Sequence, residues 1–349
     1  MDPLIKLGGL AECPDKQIRY FKENKIYTLQ IESTASCNQR CVYCYAKAGP
    51  KKNGALLSDK IRCLIDEAGA LEIKMIDWLG GDPLLRDDWY ELMKYANEQK
   101  LANNLWTSGT FLEDAEVAER VVETTKDGYV SVHLDSLDQN IFKQLHQRNA
   151  EQTIHKVLKG VENLLSLGKS PDNILNCITY TSRQPPEDVK KTIKWFWEQK
   201  GVRTCLVLFK PAGFGGEMPE LKPRREQIKE VFEYRDRLNY PESGYQLGVQ
   251  DVNKFYCGTM FCVTVEGRVT PCSVIREGVA SVHQESLEQI VSEHLNFLIA
   301  SEMHTIQNLP PGCRECHNSQ VCWGCRANAW YYASDIQAAD PDCWLNPCL

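Results

Sequence analysis

The 349-residue chain has no apolar run near the roughly 18 residues that a membrane span needs, so no membrane partner is expected. Its opening, MDPLIKLGGLAECPDK, lacks the long apolar core of a signal peptide and carries an acid at Asp2. Runs of five like charges are absent and the net charge is −7, which argues against a surface that tracks nucleic acid. Internal repeats and low-complexity tracts are missing as well. These absences together describe a soluble, cytoplasmic protein.

What the chain does have is cysteine. A composition 43% hydrophobic and 25% charged is that of an ordinary globular protein, long enough for two domains. Sixteen cysteines are not ordinary. Without an export signal they are expected to stay reduced, so disulfides are a poor explanation. Three fall at Cys37, Cys41 and Cys44, nine crowd between Cys257 and Cys348, and only Cys13, Cys63, Cys177 and Cys205 are scattered. Thiols clustered in this way point to metal or iron–sulfur ligation.

From residue 26 to about 212, β-branched runs alternate with helical patterns. Strands are expected at 26–33, 73–79, 103–108, 129–135, 174–180 and 204–209. Helices are expected at 58–71, with Ser58 as N-cap, and at 86–100, 112–125, 153–168 and 186–201. Such alternation predicts an α/β fold, a parallel sheet curled into a partial (β/α)6 barrel of TIM type, with chemistry at the C-terminal strand ends. The stretch FCVTVEGRVTPC predicts a β-hairpin turning at Glu266-Gly267. The expected division is an N-terminal extension at 1–25, the barrel core at 26–225, a bridge at 226–256 and a small cysteine-rich domain at 257–349.

ASCNQRCVYCYA, residues 35–46, follows the first strand and offers three thiols where a closed metal site takes four. Three thiolates can hold three irons of a [4Fe–4S] cube and leave the fourth open to a reacting molecule. A zinc knuckle with a distant fourth ligand is the other reading. The C-x3-C-x2-C pattern after a first strand resembles the radical SAM superfamily, in which S-adenosylmethionine chelates the open iron. By that resemblance Tyr43 packs near the adenine. Gly80, Gly81, Asp82 and Pro83 take the place of a Gly-Gly-Glu-Pro turn that holds the methionyl amine, with Asp82 one methylene shorter than the usual Glu. Ser108, in WTSGT, ends the third strand where the family has Thr-Asn-Gly. His133 and Asp135, in SVHLDS, end the fourth as cofactor contacts, although a lone strand His is often structural. Lys210, in FKPAG, would flank the adenine or be a solvated strand end.

The spacing Cys257-x9-Gly267-x4-Cys272, then Cys313-x2-Cys316-x5-Cys322-x2-Cys325 and Cys343, resembles the SPASM extension of this superfamily, with two residues in place of the usual three between Cys322 and Cys325. The resemblance implies two auxiliary [4Fe–4S] clusters, three in all. One would use Cys257, Cys272 and Cys325, with Cys262 as fourth ligand unless it is only a small buried side chain. The other would use Cys313, Cys316, Cys322 and Cys343, and Cys348 is spare. Two zinc sites in a ribbon-like tail are the alternative.

The implied activity is reductive cleavage of S-adenosylmethionine to a 5′-deoxyadenosyl radical that abstracts a substrate hydrogen. The expected electron source is a low-potential donor of flavodoxin or ferredoxin type. Oxidative modification of a peptide or protein side chain is the first expectation for the outcome. With 36 residues before Cys37, a separate peptide chaperone or a leaderless target is expected. Gly324-Cys325-Arg326-Ala327 and Asp340-Pro341 also resemble the tail of enzymes acting on tetrapyrrole side chains. Small sugars and amino acids stay open, as does a non-enzyme reading: an iron–sulfur electron carrier or zinc scaffold.

Overall fold

The computed structural model describes residues 14–50, 52–241 and 253–345. Six parallel strands run β1 (Thr28–Thr34), β2 (Met75–Gly80), β3 (Ala102–Thr107), β4 (Val130–His133), β5 (Ile174–Tyr180) and β6 (Arg203–Leu208). They pair in sequential order, and three short strands extend the far side: β7 (Met260–Val263), β8 (Arg268–Thr270) and β9 (Ala280–Ser281). The sheet order β6-β5-β4-β3-β2-β1-β7-β8-β9 leaves β6 and β9 as edges, so the barrel is open.

Helices α1 (Pro14–Lys22), α2 (Ser58–Ala70), α3 (Trp89–Glu98), α4 (Ala115–Thr124), α5 (Gln139–His146), α6 (Ala150–Ser166), α7 (Pro186–Lys200) and α8 (Arg225–Asn239) accompany the barrel. In the C-terminal part α9 (Lys254–Cys257), α10 (Leu287–Leu298), α11 (Pro311–Arg314) and α12 (Arg326–Ala333) follow. The reason for the layers is visible in α2: Ile61, Leu64, Ile65 and Ala68 form one buried stripe at helical spacing. They meet Leu29 and Ile31, the outward side chains of β1, in the main core. The intervening Gln30 and Glu32 are also buried, because β1 is covered on both faces.

Each expected strand is present, 174–180 with the bounds expected and the others shifted by a residue or two. Ser58 lies inside the first turn of α2, and its hydroxyl goes to Asp88 instead of capping the helix; Leu57 holds the cap position. The expected helix 153–168 begins earlier, at Ala150, where Asn149 accepts from the Gln152 N–H. Helix α5 was not expected. Its signal was Asp138, which accepts from Asn140 N–H and Ile141 N–H as an N-cap.

The hairpin is formed by β7 and β8, with Cys262 opposite Thr270 and Val263 opposite Val269. Beyond expectation, β7 also pairs parallel with β1, from Thr28–Met260 to Ile31–Val263. The cysteine-rich part therefore continues the barrel's sheet and does not hang from a linker. Phe261 on β7 is fully buried in the barrel's own core. Phe261→Ala should destabilise by about 3–5 kcal/mol, and urea unfolding followed by circular dichroism should show one transition at a lower midpoint, not early loss of the C-terminal part alone.

Candidate active site

The loop after β1 is held from several sides. Val42 N–H donates to Leu145 O at 2.9 Å and Arg40 N–H to His146 O at 3.3 Å, so the end of α5 fixes the middle of the loop. Phe214 N–H, beyond β6, donates to Cys44 O at 2.9 Å. Gly213 has φ +57°, and a Cβ there would lie 2.2 Å from Tyr45 O. From the β2 side, Gly81 N–H donates to Thr34 O at 2.6 Å and Asp82 N–H to Ser36 O at 2.8 Å. A Cβ on Gly81 would sit 1.9 Å from Ser36 O, so only glycine allows this approach.

Asp82 is completely buried and does not reach the cavity described below. It accepts from Ser108 N–H (2.9 Å), Ser108 Oγ (2.6 Å), Thr107 Oγ1 (2.9 Å) and Leu84 N–H (3.2 Å). Burial raises its pKa against these bonds. In this arrangement Asp82 holds the β2 and β3 ends together. Pro83 starts the short turn Pro83–Leu85 behind it, and Gly80, Gly81 and Ser108 face the cavity.

Asp135 anchors a second buried network. Its oxygens meet His133 Nε2 at 3.1 Å, His146 Nε2 at 2.9 Å, Thr179 N–H at 2.7 Å and the Tyr43 hydroxyl. The Tyr43 hydroxyl also lies 2.9 Å from His133 Nε2, and His146 Nδ1 is 3.3 Å from Cys41 Sγ. Among the described residues, His133, Asp135 and His146 are the one trio of such side chains with ligand atoms within 4.8 Å of one another. Burial alone would lower the His133 pKa, but the Asp135 carboxylate pushes it up to about 9. Burial likewise works against Asp135, yet His133 and His146 hold it well below the usual carboxylate range. Burial lowers the His146 pKa.

A cavity of about 350 Å3 joins the two halves of the chain. Cys37, Cys41 and Cys44 line it with Tyr43 and His133, and so do Cys257, Cys272 and Cys325 from the C-terminal part. Lys210 lines it too, but its ammonium donates to Cys325 Sγ at 3.2 Å and Asn328 Oδ1 at 2.6 Å. It is therefore a buried side chain and not a solvated strand end. Cys262 is fully buried on β7, off the cavity, with Cys272 among its charge neighbours. Cys313, Cys316, Cys322 and Cys343 form a separate group: burial pushes the Cys322 thiol up to about 12, with repulsion from the other three adding to it. Cys348 lies outside the described residues.

The thiols suit iron–sulfur clusters. Main-chain N–H groups donate to Cys37, Cys316 and Cys322 Sγ at 3.4 Å, the kind of bond that stabilises the negative charge of a terminal thiolate ligand. Burial pushes the Cys37 thiol up to about 12, with the Asp82 charge and then Cys44 adding to it, and the Cys272 thiol up to about 11, with Cys325 adding to it, so a bound cation would be needed to hold them as thiolates.

A profile of the radical SAM superfamily matches residues 31–196. The AdoMet-dependent heme synthase of Methanosarcina barkeri is 25% identical over 344 residues, 90% of this chain and 95% of that protein. The PqqA peptide cyclase of Granulibacter bethesdensis is 25% identical over 337 residues, 91% and 87% of the two chains. Among solved structures, Streptococcus suis SuiB bound to S-adenosylmethionine superposes with TM-score 0.66 at 15% identity, covering 95% of this chain and 81% of that one. The anSMEcpe structure with bound AdoMet and Cp18Cys peptide gives 0.65 at 17% identity, covering 90% and 93%. Among the described residues no helix is long and apolar enough to cross a membrane.

The His133–Asp135 pair gives a pH test. His133 rises from 6.5 to about 9 on folding, so its contribution is complete below pH 6.5 and lost as pH climbs through 9. The urea midpoint should fall between pH 6.5 and 9, and His133→Gln should flatten that slope; an unchanged slope would separate the pair from stability.

Proposed function

We propose that the chain is a radical SAM enzyme with a SPASM-type C-terminal part and that it oxidatively modifies a peptide or protein side chain. Membership brings S-adenosylmethionine and a [4Fe–4S] cluster as cofactors. In this reading Cys37, Cys41 and Cys44 hold that cluster, and two auxiliary clusters sit on Cys257, Cys262, Cys272 and Cys325 and on Cys313, Cys316, Cys322 and Cys343. When bound, the cluster and S-adenosylmethionine supply reductive C–S cleavage and hydrogen-atom abstraction. The observation that carries the proposal is the shared cavity, lined by thiols of both the first loop and the C-terminal part.

The chain's own residues bind, orient and shield. Gly80 and Gly81 present main chain to the cofactor's amino-acid end, held in place by Asp82 behind them. Tyr43 closes one wall, its hydroxyl fixed by His133 and Asp135. Leu79, Leu208, Met260 and Ile299 keep water from the reacting carbon. A low-potential flavodoxin or ferredoxin in a reducing, anaerobic cytoplasm is the proposed electron source.

Peptide substrates are supported by the PqqA peptide cyclase, and by SuiB, which has been solved with its precursor peptide SuiA. The heme synthase likeness over 90% of the chain favours a tetrapyrrole as the second reading. Two features weigh against it. The cavity-lining cations are engaged: Lys210 by Cys325 and Asn328, and Arg326 by the Ile336 and Ala338 carbonyls at 2.8 Å. Neither is left to receive a tetrapyrrole carboxylate. Asp340, in the tail that resembles those enzymes, accepts from Cys325 N–H at 2.8 Å and so has a structural task of its own.

The test is anaerobic reconstitution with iron, sulfide and a reductant. The wild type should bind roughly twelve irons and release 5′-deoxyadenosine. Cys41→Ala should lose about a third of the iron and all of the 5′-deoxyadenosine, while Cys322→Ala keeps S-adenosylmethionine cleavage and loses auxiliary iron. A Cys41→Ala enzyme that still makes 5′-deoxyadenosine sinks the proposal. Adding peptide fractions or iron coproporphyrin and reading mass shifts separates the two substrate classes.

A further inference from the structure

Lys210 follows β6 directly and is only 7% exposed, a poor place for an ammonium unless something anionic receives it. Its two hydrogen-bond acceptors are Cys325 Sγ at 3.2 Å and Asn328 Oδ1 at 2.6 Å. Asn328 in turn donates to Asp340 Oδ1 at 3.1 Å. A barrel residue thus reaches across the cavity wall and places a full positive charge on one sulfur of the C-terminal part.

The corresponding contact on the first loop is weaker in charge. Cys41 Sγ meets an imidazole nitrogen, His146 Nδ1, at 3.3 Å. Reduction adds negative charge to a cluster, so a cation or N–H donor on a ligand sulfur stabilises the reduced form and raises the potential. Asp340, whose carboxylate accepts from Cys325 N–H, acts in the opposite sense. The ammonium is the group on the sulfur itself.

We propose that Lys210 is a positioning residue that sets the reduction potential of the cluster on Cys257, Cys272 and Cys325, making it the easier to reduce of the two centres facing the cavity. This rests on the auxiliary-cluster reading above. It goes further in giving one barrel residue a role in the electronics of the C-terminal centre.

The experiment is a redox titration of the reconstituted holoenzyme followed by electron paramagnetic resonance. Lys210→Met should shift the auxiliary centre's reduction equilibrium at least tenfold toward the oxidised form, about 59 mV for one electron. The first-loop centre should stay within its wild-type range in the same sample. Lys210→Arg should keep the auxiliary potential near that of wild type, and Asp340→Asn should raise it. If Lys210→Met fails to load the centre, Lys210→Gln, which retains a donor without the charge, should show the same fall. An unchanged auxiliary potential in these charge-neutral variants overturns the inference while leaving the cluster assignment intact. A wild-type protein with only four irons overturns the assignment and the inference together.

Discussion

Strand β7 runs beside β1 over four residue pairs, and what happens at the barrel mouth depends on that pairing. A parallel ladder fixes register and direction together, because a slip of one residue would turn Phe261 and Val263 out of the core and Cys262 into it. Gln30 on β1 then accepts from Ser273 N–H at 3.2 Å, and Glu32 takes Arg276 at 2.5 Å and Val265 N–H at 3.2 Å. Glu32 is almost wholly buried, and burial raises its pKa despite Arg276, so breaking that ion pair would strand a carboxylate in the core. The C-terminal part is locked to the first strand by apolar packing on one face and by buried charge on the other.

Inside this frame, two buried acids organise the loops by the same logic. Asp82 ties β2 to β3, and Asp135 ties β4 to α5 and the first loop. Each carboxylate has several donors and little access to solvent, the condition under which a buried charge is tolerable. The consequence is division of labour. Acids hold the wall, while glycine backbone, Tyr43 and the thiols form its inner surface.

The sheet was legible because β-branched runs alternate with helical stripes at regular intervals, and the thiol pattern because cysteine spacing is a strong local signal. Four things were not legible. The β1–β7 pairing joins residues more than two hundred positions apart, and local periodicity carries no trace of it. The turning of Asp82 away from the cavity depends on Thr107 and Ser108 arriving from another strand. His146 belongs to a short helix whose N-cap, Asp138, was visible in the sequence, but its meeting with Asp135 and Cys41 is a tertiary event. Lys210 shows the same limit: a strand-end lysine looks solvated until the C-terminal part covers it.

The hydrogen bond from Phe214 N–H to Cys44 O bears on how the protein is made. The first loop leaves the ribosome early, yet one of its retaining contacts lies beyond the sixth strand, and another set lies on α5. A nascent chain that has reached only the first few strands has all three thiols of that loop and no fixed shape to hold them in. The shape in which this loop presents its thiols is therefore complete only once residue 214 has been made and has folded back on it.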